Sequence, residues 1–109
     1  MAVFEYDDSL EEFLEAGIYV FDWDRGNRSK NWTRHRVTVR ECEEVFFCGA
    51  LPIGAQVDPP ANEPRYAVIG ATSAGRPLFV VFALRQGRIR VVSARLMTRQ
   101  EKEDYDLLR

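Results

Sequence analysis

The sequence has a single histidine, only two cysteines and no hydrophobic run long enough to cross a membrane. The cysteines, Cys42 and Cys48, enclose an apolar stretch and match no metal-binding spacing, and one histidine cannot build a metal centre. We therefore expect reduced thiols, no metal and no cofactor. Because no leader-like or membrane-spanning segment is visible, we expect a cytoplasmic protein without a membrane partner.

Basic residues are absent from the first 24 residues, which hold eight acidic ones. Residues 25–40 reverse this pattern with six basic residues, one histidine and no acidic residue, and residues 85–102 carry six bases against one acid. The formal net charge of −2 therefore hides a strong segregation of charge. Such blocks indicate either a nucleic-acid-binding surface masked by an acidic segment or two solvated faces, and composition leaves both open.

Short apolar runs separated by turn signals predict strands at residues 19–23, 50–53, 65–71, 77–85 and 88–95. Helices are predicted at residues 24–35 and after three capping boxes that begin at Ser9, Thr38 and Thr98. Pro52 places its strand at an edge, and residues 54–64 are a long loop. Residues 1–109 are one domain, with an acidic helical extension at 1–18 and the main domain at 19–109.

The last four strands follow one another closely, which is typical of an antiparallel meander. We predict an α+β fold with a four-stranded antiparallel sheet, helices packed on one face and a C-terminal helix. The presence of an extra N-terminal strand in this sheet stays open. Within this sheet, Gln86-Gly87 closes a hairpin that pairs Arg85 with Arg88. Side chains alternate along a strand, so Arg85, Arg88 and Arg90 share one face, whereas Arg95 lies on the apolar face. Guanidinium groups suit phosphate.

Three groups of residues resemble motifs of a known family. These are Phe21-Asp-Trp-Asp24 with Asn27, Asn31 and Arg34-His35-Arg36-Val37; Glu63-Pro-Arg65-Tyr66 before Ile69-Gly70; and Arg90-Val-Val-Ser-Ala-Arg95 with Glu101 and Tyr105. Their order and spacing resemble the BrnT-type toxins of type II toxin–antitoxin systems, which share the RelE-like ribonuclease fold. The resemblance covers residues 21–105.

This resemblance implies an endoribonuclease that cuts RNA without a metal, through attack of the ribose 2′-OH on its own phosphate. Together with the hairpin geometry, it leads us to predict that the catalytic residues are His35, Arg65, Arg85, Arg90 and Arg95, and that Lys30, Arg34 and Arg88 bind substrate. His35 is the natural candidate for proton transfer. The implied partners are RNA and a cognate DNA-binding antitoxin, and a homodimer and a toxin–antitoxin hetero-oligomer both stay open.

Two positions depart from the family pattern, because Asn27 stands where the family has Lys and Arg36 where it has Gly. These departures favour the alternative of a catalytically weak RelE-like module that binds RNA or protein. If the glycine is left-handed, Arg36 is strained by about 1 kcal/mol.

Several candidates also have structural alternatives. His35 could cap its helix, Arg65 could pair with Glu63, and Arg95 could pair with Glu101 or Glu44. Trp32 and Tyr105 are expected in the core. The stripe formed by Leu10, Phe13 and Leu14 would either hold the acidic helix over the basic face or pack elsewhere on the domain.

Overall fold

Five antiparallel strands, in the order β1-β2-β3-β4-β5, form the single sheet of the computed structural model, which describes residues 2–109. The elements along the chain are β1 (Val3–Glu5), α1 (Asp8–Ala16), α2 (Arg25–His35), α3 (Val39–Phe47), β2 (Leu51–Asp58), β3 (Arg65–Ala71), β4 (Pro77–Arg85), β5 (Arg88–Leu96) and α4 (Arg99–Leu108). The α+β class is confirmed, but the prediction of four strands is wrong, because the sheet has five.

The fifth strand is β1, which the sequence did not reveal because it is three residues long. It pairs with the second half of β2, where Glu5 lies opposite Ala55. Gly54 permits this contact, since a Cβ there would lie 2.1 Å from the carbonyl oxygen of Glu5. The prediction that β2 is an edge strand holds only near Pro52, because from Ala55 onward β1 covers it. The predicted loop at residues 54–64 is correspondingly shorter.

Residues 19–23, predicted as a strand, form only one bridge, between Phe21 and Ile89. Two backbone hydrogen bonds support it, from Asp22 N to Ile89 O (2.8 Å) and from Ile89 N to Val20 O (2.7 Å). Pairing cannot continue along β5, because α2 begins at Arg25 and takes the next polar groups of that strand.

Capping explains where the helices begin. Thr38 and Thr98 form complete capping boxes as predicted, and Asp24 caps α2. The predicted start at Ser9 is wrong. The Asp7 carboxylate accepts the backbone N–H of Ser9 and of Leu10, so this earlier and equally good acceptor caps α1 instead.

Two hydrophobic layers lie on opposite faces of the sheet. On the first face Leu10, Phe46 and Phe82 are buried with Phe13 and Leu14 packed beside them, so α1 packs its apolar stripe into the core. On the second face α4 places Tyr105 over Ala67, Ile69 and Phe79. The prediction of a core Tyr105 is confirmed. The prediction that Trp32 lies in the core is wrong, because 48% of that residue is exposed.

The β4–β5 hairpin has the predicted register, with Arg85 opposite Arg88 and Ala83 opposite Arg90. Its two turn residues both have positive φ, 53° at Gln86 and 75° at Gly87, as a type I′ turn requires. Further along, Val81 pairs with Ser93 but Phe82 pairs with Val91, so Val92 is the extra residue of a β-bulge.

This bulge overturns the predicted orientation of Arg95. One extra residue reverses the alternation of side chains beyond it, and Arg95 therefore lies opposite Phe79 on the second face. As a result Arg85, Arg88, Arg90 and Arg95 all share that face.

Two buried asparagines of α2 bind β5 on either side of the bulge. Asn27 Nδ2 donates to Val91 O (3.4 Å) and to Asp22 O (3.0 Å), and Asn31 Oδ1 accepts the N–H of Ala94 (2.9 Å). These bonds satisfy edge groups of β5 that the sheet leaves unpaired. They fix α2 against the strand that carries Arg90 and Arg95.

We expect Asn31→Ala to lower the free energy of unfolding by about 2 kcal/mol, because the buried N–H of Ala94 loses its acceptor. Ser29→Ala, on the exposed side of the same helix, is the matched control and should change stability by less than about 0.5 kcal/mol. Urea unfolding of both variants measures the difference. Equal stabilities would contradict the anchoring role.

Arg36 ends α2 in the left-handed conformation, with φ 55° and ψ 41°. Its guanidinium also lies 5.2 Å from the centre of the Trp32 ring. Arg36→Gly should therefore be about 1 kcal/mol more stable than Arg36→Ala, since both lose the ring contact and only Gly relieves the backbone strain. Thermal unfolding compares the two, and equal values would show that the strain is absent.

Candidate functional site

A cleft of about 220 Å³ opens where the start of α2, the start of β3 and the β4–β5 hairpin meet. We call it the arginine cleft, and it is lined by Gly26, Asn27, Lys30, Glu63, Arg65, Arg85, Arg90, Val91 and Val92. The register of the strands explains why Arg65 and Arg90 converge on this cleft. Arg65 and Arg90 both lie opposite Ala83, one on each side, so their side chains leave the same face across a small residue.

Two of the arginines are paired with carboxylates. Arg85 donates two hydrogen bonds to Glu63, from Nε to Oε2 (2.9 Å) and from Nη2 to Oε1 (2.9 Å). These hydrogen bonds lower the pKa of the Glu63 carboxyl and raise the pKa of Arg85. Arg90 Nη2 lies 2.8 Å from Asp24 Oδ2, and the backbone N–H of Asn27 together with Arg90 lowers the pKa of Asp24.

The other two cations of the cleft, Arg65 and Lys30, form no direct ion pair among residues 2–109. Arg65 Nε is buried and has no hydrogen-bond partner there, which is costly for a charged donor. Lys30 is exposed on α2 and makes no ion pair with a described carboxylate. An anion can therefore bind Arg65 and Lys30 without first breaking the ion pairs of Arg85 and Arg90.

Arg95 lies outside the arginine cleft. Its guanidinium donates to both oxygens of Glu101 (2.8 and 2.9 Å) and stacks 4.4 Å from the centre of the Phe79 ring. The hydrogen bonds to Glu101 raise the pKa of Arg95. Of the two partners expected from the sequence, Glu101 is confirmed, whereas Glu44 binds the backbone N–H of Ser73 instead.

His35 is the last residue of α2, as predicted, and its imidazole is exposed. It does not line the arginine cleft, because the helix carries it about 12 Å beyond Asn27. Arg76, which sequence reasoning missed, closes this helix end. Its Nη1 donates to Arg36 O (2.7 Å), its Nη2 to His35 O (3.4 Å), and Nη1 also to both oxygens of Glu41.

Of the eight residues predicted for the site, the structure brings four together: Lys30, Arg65, Arg85 and Arg90. Arg34, His35, Arg88 and Arg95 lie outside this cleft. Sequence reasoning offered Glu63 only as an ion-pair partner of Arg65, but in the structure Glu63 binds Arg85 instead.

A second cleft, of about 430 Å³, lies further along the same sheet face. We call it the apolar cleft, and it is lined by Ala2, Phe4, Ile53, Phe79, Val81, Ser93, Arg95 and Glu101. The rings of Phe4 and Phe79 meet edge to face, 5.9 Å apart.

Among residues 2–109 no three or more histidine, cysteine, aspartate or glutamate side chains are arranged to hold a metal ion. Within the same residues, no helix has the length and apolar character needed to span a membrane. Both cysteines are free, and burial raises the pKa of the Cys42 thiol to about 12.

Comparison with known proteins identifies the family. The family model described as a ribonuclease toxin, BrnT, of type II toxin–antitoxin systems matches residues 23–101, which include both Arg65 and Arg95. No curated protein matches the chain significantly. Such a family implies RNA as substrate and an antitoxin as partner. The chain belongs to the BrnT family of ribonuclease toxins.

Proposed function

We propose that this protein is a metal-independent endoribonuclease that binds a phosphate of RNA in the arginine cleft. The observation that carries the proposal is the convergence of Lys30, Arg65, Arg85 and Arg90 on one cleft, with the Nε of Arg65 buried and unpaired. Guanidinium and ammonium groups are well suited to binding phosphate.

In the proposed reaction the ribose 2′-oxygen attacks the adjacent phosphorus and forms a new O–P bond. The bond from phosphorus to the 5′-oxygen of the next nucleotide breaks, which gives a 2′,3′-cyclic phosphate and a 5′-hydroxyl. One proton leaves the 2′-OH and one reaches the departing 5′-oxygen. DNA lacks the attacking hydroxyl and is not a substrate.

The cations stabilise the extra negative charge that develops on the phosphate during attack. Arg65 and Arg90 lie opposite Ala83 on its two sides, so we expect them to approach one phosphate from two directions. Lys30 adds a third positive charge from the helix side of the cleft. No metal ligand set is needed for this role.

Glu63 is the proposed base, because it is the only carboxylate that lines the arginine cleft in the described chain. In the free protein its pKa is lowered by Arg85, which makes it a weak base. An incoming phosphate competes for Arg85, and release of that pair raises the pKa of Glu63 beside the substrate. His35 is the alternative base, and mutation separates the two.

A DNA-binding antitoxin is the proposed neutralising partner. Support for a protein partner comes from exposed apolar residues near the end of α3. Phe47 is 64% exposed and packs its ring 5.4 Å from that of Tyr19, whose neighbours Ile18 and Val20 are also exposed. A homodimer of the toxin and a toxin–antitoxin hetero-oligomer both stay predictions.

A weak RNA-binding module is the second candidate. One observation favours it: Arg85 and Arg90 are already neutralised by Glu63 and Asp24. In that case RNA binds in a salt-sensitive manner and is not cut.

We expect Arg65→Ala and Arg90→Ala each to slow RNA cleavage by about 100-fold or more, because each removes a group that stabilises charge in the transition state. Cleavage is measured on single-stranded RNA with EDTA present and with DNA of the same sequence alongside. Arg99→Ala is the matched control, since Arg99 is highly exposed on α4, away from the cleft. Cleavage that survives both cleft variants with folding intact would contradict the proposed site.

Glu63→Gln should have two opposite effects. It removes the carboxylate that neutralises Arg85, so non-cleavable RNA should bind a few-fold more tightly. It also removes the proposed base, so cleavage should fall by about 100-fold or more. His35→Gln should leave cleavage nearly unchanged. The reverse result, with cleavage lost in His35→Gln and kept in Glu63→Gln, would assign the base to His35.

A further inference from the structure

The arginine cleft and the apolar cleft lie on one continuous sheet face. Along β5, Arg90 lines the first cleft, and Ser93 and Arg95 line the second. The paired residues on β4 are Ala83, Val81 and Phe79 in the same order. Neighbouring rows of a strand face are about 7 Å apart, so the two clefts adjoin. A chain bound by its phosphate in one cleft therefore reaches the other.

The β-bulge at Val92 is what joins the two clefts. Without the extra residue, Ser93 and Arg95 would face the buried first layer, and the strand would present no polar group beyond Arg90. With it, a hydroxyl and a guanidinium follow Arg90 on the second face.

Arg95 presents a planar group that is held rigidly. Glu101 binds two of its nitrogens, Leu96 O accepts a third hydrogen bond, and Phe79 supports one face of the guanidinium at 4.4 Å. The side chain is still 34% exposed. Because one face rests on Phe79 and the residue lines the apolar cleft, the remaining surface is open to a ligand.

The composition of the apolar cleft suits a flat ligand with apolar faces and a polar edge. Its apolar walls include Phe4, Ile53 and Val81, and its polar edge is formed by the hydroxyl of Ser93 and the pair of Arg95 and Glu101. Sites of this kind bind small, mostly apolar groups and orient them with a few polar contacts. A nucleobase has this character, and unpaired bases stack on aromatic rings and guanidinium planes.

We propose that the apolar cleft is a base-binding subsite. It takes one unstacked base of the RNA strand whose phosphate lies in the arginine cleft, and that base stacks on the guanidinium of Arg95. The inference rests on the proposed function and extends it, because it makes single-stranded RNA the substrate. Bases inside a duplex are stacked and cannot enter.

The test uses a single-stranded 2′-O-methyl oligoribonucleotide, which cannot be cut because the attacking hydroxyl is blocked. Bases are removed from it one position at a time, and affinities are measured by fluorescence anisotropy. For the wild-type protein, loss of one particular base should weaken binding about tenfold, the size of one stacking contact. Loss of the bases elsewhere should have little effect.

Ser93→Phe fills the apolar cleft, and Leu96→Phe is its matched control on the same strand. Leu96 is 49% exposed, pairs with Leu78 and lines neither cleft. In Ser93→Phe the dependence on the one base should disappear, whereas Leu96→Phe should keep it. Arg95→Lys, which keeps the charge but lacks the plane, should also lose the base dependence and keep the salt dependence of binding.

Base-independent binding by the wild type, or base dependence that survives in both Ser93→Phe and Arg95→Lys, would overturn the subsite. If binding remains sensitive to salt and to Arg65→Ala in that case, the phosphate site stands without it. If the wild type binds none of the oligonucleotides, the proposed function fails and the subsite fails with it.

Discussion

The β-bulge at Val92 is the feature on which the rest of the second sheet face depends. It lets Arg90 and Arg95 share a face, although their sequence spacing would place them on opposite faces of a regular strand. β5 is an edge strand of the sheet, and Asn27 and Asn31 supply the partners that its outward-facing backbone groups at Val91 and Ala94 lack. The same two residues fix α2, which brings Lys30 and Asp24 to the arginines. The edge of the sheet and the proposed site are therefore stabilised by the same interactions.

In the arginine cleft, two cations are held in ion pairs with carboxylates of the described chain and two are not. Glu63 and Asp24 keep Arg85 and Arg90 in place in the free protein, at the cost of neutralising them. Arg65 and Lys30 keep their positive charge available. An exposed ion pair contributes little to stability, so exchanging Glu63 for a phosphate at Arg85 costs the fold little. This arrangement suits a site that must be preorganised when empty and must still bind a strongly charged ligand.

Much of this architecture could be predicted from the sequence, but the decisive irregularity could not. The turn at Gln86-Gly87 fixed the pairing of Arg85 with Arg88, and two of the three capping boxes marked helix starts correctly. The bulge has no local signature, because Val92 suits a regular strand equally well. The side assigned to Arg95 was therefore wrong, although its partner Glu101 was foreseen. β1 escaped prediction because three residues cannot display a period. The RelE-like comparison of the fold stays a prediction.

The two departures from the family pattern have different physical consequences, and the arginine cleft keeps the cations Lys30, Arg65, Arg85 and Arg90 despite both. Arg36 sits in a left-handed conformation at a helix end, so its cost is to stability. Asn27 replaces a lysine of the family pattern, but its side chain caps α2 and binds β5, which are structural roles. One turn later on the same helix, Lys30 lines the cleft and provides a positive charge beside Asn27. We infer that the loss of lysine at position 27 is compensated within the same helix, which favours an active ribonuclease over the weak binding module.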